Sequence, residues 1–303
     1  MFFPVAFILT ALMALVSTSI AANIIQSNDD GWAELYLRTL NTALVASSHR
    51  VLLSAPAENK SGTSSRDKEP KARSKACQYS SCPEDTNARW GVNTTTGTEF
   101  WVNAYPATSV RYAIDEFAPE VWGANVEPDM VITGPNVGAN YWLGVPFSGT
   151  VGAACHAVDR GIPAIAFSAY SGPNAPWNMA PIPDRALLYA DLAANLTNRI
   201  LESGKPYLPR GVFLNVNFPK YKAPCTDAAK FKWVLTRIYP GLISPPDTET
   251  CGSTRLPTER EVIHSRRGCY VSISVGDASD KTTVDDQRQK VVLDKLSDML
   301  SCF

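Results

Sequence analysis

Only three histidines occur in the 303 residues, His49, His156 and His264, and no two of them stand at a metal-ligand spacing. A zinc or copper centre built on imidazole is therefore not expected. Positive charge is also scarce: 28 Lys and Arg against 29 Asp and Glu leave a net charge of -1. That balance argues against a general binder of nucleic acid, and no stable nucleic-acid complex is expected. After residue 21 no long apolar segment appears, and the C-terminal SDMLSCF is too polar for a lipid-anchor tail. The chain has no G-x-S-x-G elbow, no phosphate loop ending in GKS or GKT, and no G-x-G-x-x-G after its first strand. Esterases of the first kind, and nucleotide binders of the other two, lose their usual signature.

What is present is a hydrophobic content of 45%, enough for a sizeable core in one large domain or two smaller ones. The first 21 residues, MFFPVAFILTALMALVSTSIA, are apolar and uncharged, with Ser19 and Ala21 placed for a signal-peptidase cut. The run approaches spanning length, but no basic cluster follows and a strand begins at about Ile24. A cleaved leader over 1–21 is expected rather than a membrane anchor. Seven cysteines suit a secretory compartment. Cys77 and Cys82 lie close enough to close a small ring. The pairing of Cys225, Cys251, Cys269 and Cys302 stays open, and the odd count leaves at least one thiol over or an intermolecular bond. Cys155 reads as a packing residue. Asn59, Asn93 and Asn195 each open an N-x-S/T sequon.

NIIQSN reads as a strand, and Ala33, Leu37, Leu40 and Leu44 at helical spacing predict an amphipathic helix over 32–47. Val51 to Ser54 is a second strand, stopped by Pro56. Strand, helix, strand opens an α/β doubly wound sheet, expected over 22–205. Residues 57–100 read as a long polar loop. A helix is expected after Pro106, then a strand over Met130–Thr133, a helix fed by FSGTVGAA, a strand in IPAIAFS, and a helix over Ala186–Leu201. Beyond Pro206, GVFLNVNFP, FKWVLTRIY and CYVSISVGD read as strands without crossover helices, forming a β-rich extension over 206–303. A terminal helix offers Val284, Val291, Leu293, Leu296 and Leu300 for docking.

In such a sheet, ligand sites collect at the carboxyl ends of strands. Asp29 and Asp30 fall at the end of the first strand, Ser61 in the loop after the second, Asn136 after a third, and Ser148-Gly149-Thr150 where a helix starts. Two adjacent carboxylates repel unless solvent, a proton or a cation intervenes. With a hydroxyl and an amide carbonyl they form an all-oxygen set suited to a hard divalent ion. Read alone, each motif is equally compatible with an ordinary turn or cap. The glycines and hydroxyls at 148–152, beside a positive helix end, suit a phosphate.

Taken in order, NIIQSNDDG, APAENKSG, PDMVITGPNVGAN, FSGTVGAA, GVFLNVNFP and GCYVSIS resemble the SurE-like phosphatases and nucleotidases, over roughly residues 23–275. The leader, sequons and cysteines resemble the fungal secreted or vacuolar acid-phosphatase branch. The resemblance implies a phosphomonoesterase dependent on Mg2+ or Mn2+, built on a Rossmann-like three-layer α/β parallel-sheet core and dimeric or larger through its C-terminal region. It puts Asp29, Asp30, Ser61 and Asn136 on the metal, and Asn140, Ser148, Gly149 and Thr150, with Asn28 close by, on the substrate phosphate. Asp29, Asp30, Asn140 and Ser148 become the expected catalytic set, with a water or Asp29 itself as the attacking group. Substrates would be small phosphate monoesters, as in a broad acid phosphatase. The alternatives are a nucleotidase for nucleoside monophosphates and a non-catalytic phospholigand-binding module. Three departures stand out: Pro135 replaces an aliphatic residue, Phe147 replaces a frequent tyrosine, and the loop after Ser61 is long. A glycan on Asn59 would crowd Ser61, so that residue is expected to be unmodified or turned outward.

Overall fold

A computed structural model describes residues 21–84, 87–170 and 172–303. The expected leader lies outside the described residues. Nine strands form one sheet in the order β3-β4-β2-β1-β5-β6-β7-β9-β8. They are β1 (Asn23–Ser27), β2 (Arg50–Pro56), β3 (Trp90–Val92), β4 (Glu99–Val102), β5 (Met130–Val137), β6 (Ala164–Ala169), β7 (Val212–Phe218), β8 (Phe231–Thr236) and β9 (Cys269–Asp277). From β4 across to β7 every pairing is parallel. The antiparallel pairings are β3 with β4 and β7 with β9.

The central strands are apolar on both sides, as a sheet covered on two faces requires. Alternate residues serve opposite layers: Ile24 and Ile132 join one core cluster, Ile25 and Val131 the other. The first face is covered by α1 (Leu35–Ala46) and α5 (Asp184–Glu202), whose Leu37, Leu40, Leu44, Leu188, Leu192, Leu196 and Ile200 are all buried. On the second lie α2 (Pro106–Tyr112), α3 (Ala118–Trp122) and α4 (Gly149–Asp159).

The chain runs from β1 outward to β2 and β4, then crosses back to place β5 on the other side of β1. The carboxyl ends of β1 and β5 therefore flank the point where strand order reverses, the crevice where open α/β sheets take their ligands.

Several expectations change. The stretch 57–100 is not loop throughout: β3 and the start of β4 lie inside it, joined by the turn Asn93–Gly97. Their pairing spans only three residues, too short for a periodic signal. The C-terminal strands do not pair off by themselves, since β7 continues the parallel sheet beside β6 and the others add outside it. A short helix, α6 (Glu259–Ile263), interrupts the connection from β8 to β9, started by a reciprocal cap between Thr258 and Glu261. The terminal helix α7 (Asp286–Lys295) buries Val292, and Leu296 just beyond it is buried too, but Val291 points to solvent at 42% exposure. Disulfides join Cys77 to Cys82, Cys225 to Cys269 and Cys251 to Cys302, leaving Cys155 free and buried.

Candidate active site

The turn after β1 is tied to itself and to its surroundings. Asn28 accepts the Gly31 backbone N–H on Oδ1 at 3.1 Å, which closes the turn around the two aspartates. Gly31 has φ +111° and its Cα faces the Gln78 side chain, so a larger residue would be strained and crowded there. Asp29 and Asp30 are buried at 2% and 1% exposure. Thr150 donates its hydroxyl to Asp29 Oδ1 at 2.6 Å, while the Asp29 carbonyl accepts from Lys60 N at 2.6 Å. Asp30 Oδ2 accepts Val137 N at 2.7 Å, and its Oδ1 accepts from the amides of Asn174 at 3.0 Å and Asn59 at 3.3 Å.

These contacts bring the predicted loops together. Lys60 and Asn59 belong to the loop of Ser61, and Ser61 N donates to Asn59 Oδ1 at 2.8 Å. Val137 adjoins Asn136, which is itself buried and donates from Nδ2 to Gly138 O at 2.6 Å. Ser148 caps α4, its hydroxyl accepting Val151 N at 3.1 Å. Gly149 lies against Asp29 so closely that a Cβ there would stand 2.8 Å from Asp29 Cβ. Ser64 N donates to Phe147 O at 3.0 Å and its hydroxyl to Pro146 O at 2.6 Å. The Ser64 carbonyl also packs on Gly152, which seats the 61–65 loop over the start of α4. Lys281, from beyond β9, donates to the same Ser64 hydroxyl at 2.9 Å.

Asn140 is held by both backbone polar atoms and by its side chain. Its N–H donates to Asn217 Oδ1 at 2.8 Å, and its carbonyl accepts from the amides of Asn215 at 2.8 Å and Asn217 at 3.0 Å. Its own amide donates to Ser168 Oγ at 2.9 Å. Ser168 is the register partner of Asn136 in the β5–β6 pairing, so Asn140 stands near the end of β5.

The electrostatics of this crevice are unusual. Burial raises the Asp29 carboxyl above the ordinary range, against hydrogen bonds from Thr150. Burial does the same to Asp30, and the neighbouring Asp29 charge adds to it. Glu34, fully buried as the cap of α1, is pushed up to about 8 by burial and then by the Asp30 charge. No ion pair to Asp29 or Asp30 is found among the described residues, and no three His, Cys, Asp or Glu gather there around one point. The adjacent pair is therefore met by neutral donors only. A hard divalent cation fits such a set, because it relieves the repulsion and takes oxygen ligands. The Asn28 Nδ2 group is buried with no hydrogen-bond partner among the described residues, a donor awaiting an acceptor beside the same turn.

The sequence model of the family described as "Survival protein SurE" matches residues 24–240. The chain belongs to the SurE family. An acid phosphatase of Yarrowia lipolytica is 31% identical, over 83% of this chain and 78% of that protein. The 5'-nucleotidase SurE of Symbiobacterium thermophilum is 36% identical over 46% of this chain and 47% of that protein. Among solved structures, the SurE protein from Aquifex aeolicus superimposes with a TM-score of 0.55 at 21% identity, covering 84% of this chain and 93% of that one. That likeness extends the shared fold well beyond the segment matched by the SurE model.

The SurE motifs do not name every side chain that builds this crevice. Asn59, Asn174, Glu34, Asn215 and Asn217 are additions from the structure. Asn215 and Asn217 had a signal, since they alternate with apolar residues on β7 and so share one face. Asn174 lies between prolines in an irregular stretch and had none. Thr150, expected at the phosphate, has its hydroxyl hydrogen committed to Asp29. Of the nearby aromatic residues, Trp101 is buried, and Trp90 packs on Phe100 and Phe117. His156 lies largely buried along α4, where burial lowers its pKa.

Proposed function

We propose that the protein is a divalent-metal-dependent phosphomonoesterase of broad substrate range, an acid phosphatase, acting in a secreted or vacuolar setting. The observation that carries this reading is the buried Asp29–Asp30 pair, held by neutral donors only, at the mouth of a glycine-lined helix start. Family membership and the resemblance to a yeast acid phosphatase support the reaction class. Three disulfides support the oxidising compartment. No helix of the described residues is long and apolar enough to cross a membrane. A dimer or larger assembly through the C-terminal region belongs to the same proposal.

In this reading Asp29 and Asp30, with oxygens of Ser61 and Asn136, hold Mg2+ or Mn2+. The bound ion supplies charge neutralisation at the phosphoryl group. The protein's own groups do the rest. Thr150 fixes Asp29 in direction and favours its ionised form against the effect of burial, and Val137 N, Asn59 and Asn174 do so for Asp30. Ser148, Gly149, Asn140 and the unpartnered amide of Asn28 offer donors to phosphate oxygens, at the positive end of α4. Because these donors are set in advance by strand ends and a helix cap, little reorganisation is needed as charge develops.

The deciding experiment is phosphate release from p-nitrophenyl phosphate and adenosine monophosphate across pH, before chelation, after chelation, and after adding Mg2+ or Mn2+ back. Metal-restored turnover of both esters supports the broad phosphatase. Turnover of the nucleotide alone supports the second reading, favoured by the bacterial relatives named 5'-nucleotidase. Ester binding without phosphate release refutes both. Asp29→Asn is expected to remove most turnover and leave the fold intact.

A further inference from the structure

We propose that Glu259, outside the segment matched by the family, is a positioning residue for the substrate pocket, acting through the Asn215 amide on the backbone of Asn140. The inference rests on the reading that Asn140 serves the phosphate. Glu259 opens α6 and is wholly buried, with its backbone N–H bonded to Arg237 O at 3.1 Å. Its Oε1 accepts one hydrogen of Asn215 Nδ2 at 2.8 Å, and the same amide gives its other hydrogen to Asn140 O at 2.8 Å.

The Asn215 Oδ1 atom has no partner among the described residues. Nothing on the oxygen side of that amide therefore fixes which way it faces. Turned over, the group would set Oδ1 against the Asn140 carbonyl and against Glu259, two oxygens facing an oxygen. The acceptor on Glu259 holds the amide in the one orientation that bonds Asn140. Asn217 binds the same peptide from two residues along β7, so together the two amides grip both polar backbone atoms around Asn140. Among the described residues its side chain is then aimed by Ser168. Burial pushes the Glu259 carboxyl up to about 8, against the hydrogen bond from Asn215. Below that pH it is a neutral acid whose carbonyl oxygen, Oε1, still accepts from Asn215, and glutamine imitates that shape and acceptor placement closely.

The test compares Glu259→Leu, Glu259→Gln, Asn215→Asp and Asn140→Ala in the full chain, with p-nitrophenyl phosphate at pH 6 and Mn2+ affinity measured by calorimetry. Removing the acceptor should lower kcat by about 100-fold, the scale of a misplaced substrate-positioning group. KM and Mn2+ affinity should change little, which separates this role from general loosening of the fold. Glu259→Gln should keep kcat within about threefold of wild type. A folded Glu259→Leu with near wild-type kcat, beside an impaired Asn140→Ala, overturns the proposal. So does a Glu259→Gln as impaired as Glu259→Leu. Full activity in Asn140→Ala would instead remove the underlying reading of Asn140. If Glu259→Leu fails to fold, Asn215→Asp carries the same test, since it sets a carboxylate oxygen against Asn140 O at unchanged volume.

Discussion

Thr150→Val exchanges a hydroxyl for a methyl group of nearly the same size, at a position fully enclosed by the core. The lost bond is the 2.6 Å hydroxyl contact to Asp29 Oδ1. A hydrogen bond to a charged group is worth about 1.5–3 kcal/mol, or roughly 10- to 150-fold in an equilibrium constant. Asp29 keeps its backbone donors from Thr150 and Gly149, so the carboxylate is weakened and not abandoned. Because the hydroxyl favours the ionised carboxyl, its removal should raise the Asp29 pKa further. Two readouts follow. The Mn2+ concentration giving half-maximal turnover of p-nitrophenyl phosphate should rise by roughly 10- to 150-fold at pH 6. The acid limb of the pH–rate profile should move upward, so that part of the loss is recovered as pH rises. Unchanged metal demand, together with an unmoved acid limb, would refute the idea that Thr150 maintains a metal-binding carboxylate.

Gly149→Ala would bring a methyl carbon to 2.8 Å from Asp29 Cβ and 2.9 Å from its Oδ2. Relieving that overlap costs about 1–3 kcal/mol; a lowered melting temperature and at least a tenfold loss of metal-dependent turnover are expected, and normal turnover would count against the close approach. Glu34 and Glu259 both have folded values near 8 against 4.5 for the free side chain. Between those values the folded protein holds protons that the unfolded chain releases. Their contribution to stability is thus complete below about pH 4.5 and lost as pH rises to about 8, with a slope of at most about 1.4 kcal/mol per pH unit for each group. Urea unfolding of chelator-treated protein should show lower stability at pH 8 than at pH 5.5, and Glu259→Gln should flatten the dependence. Equal stability at both pH values would contradict it. Lys281→Met removes the amine that bonds Ser64 Oγ and Pro146 O. It should weaken Mn2+ binding several-fold through the Ser61 loop while leaving the melting temperature within a few degrees; an unchanged affinity would show that loop to be held without it.

Much of the fold was legible because the central strands and α1 and α5 bury regular apolar patterns, which periodicity reports directly. The Asp-Asp turn and the FSGTVGAA helix start could be found for a related reason: position in an α/β sheet is set by the order of elements. Shorter pieces were not legible. Pairing of Trp90–Val92 with β4 depends on a partner strand rather than on alternation, and Val291 follows helical spacing yet faces water because α7 docks by only a narrow edge. The remaining site residues escaped because their roles are made by tertiary contact. Asn174 reaches Asp30 across 144 positions of chain, and no local pattern encodes such a meeting. Helix α6 did leave a trace, the Thr258-x-x-Glu261 cap, within a connection that otherwise reads as loop.

The contact from Asn59 to Asp30 has a consequence for where this enzyme can be made. The acceptor triplet Asn59-Lys60-Ser61 begins with a nitrogen that bonds an active-site carboxylate and ends with the hydroxyl assigned to the ion. In the proposed function neither end can be exchanged without disturbing the chemistry, so in a secretory pathway the loop would carry an unwanted address for oligosaccharyltransferase. A sugar attached there before the loop closes would leave a properly stapled but inert product. Host cells that modify this triplet efficiently should therefore secrete a mixture, and its specific activity should track the fraction whose Asn59 stayed bare.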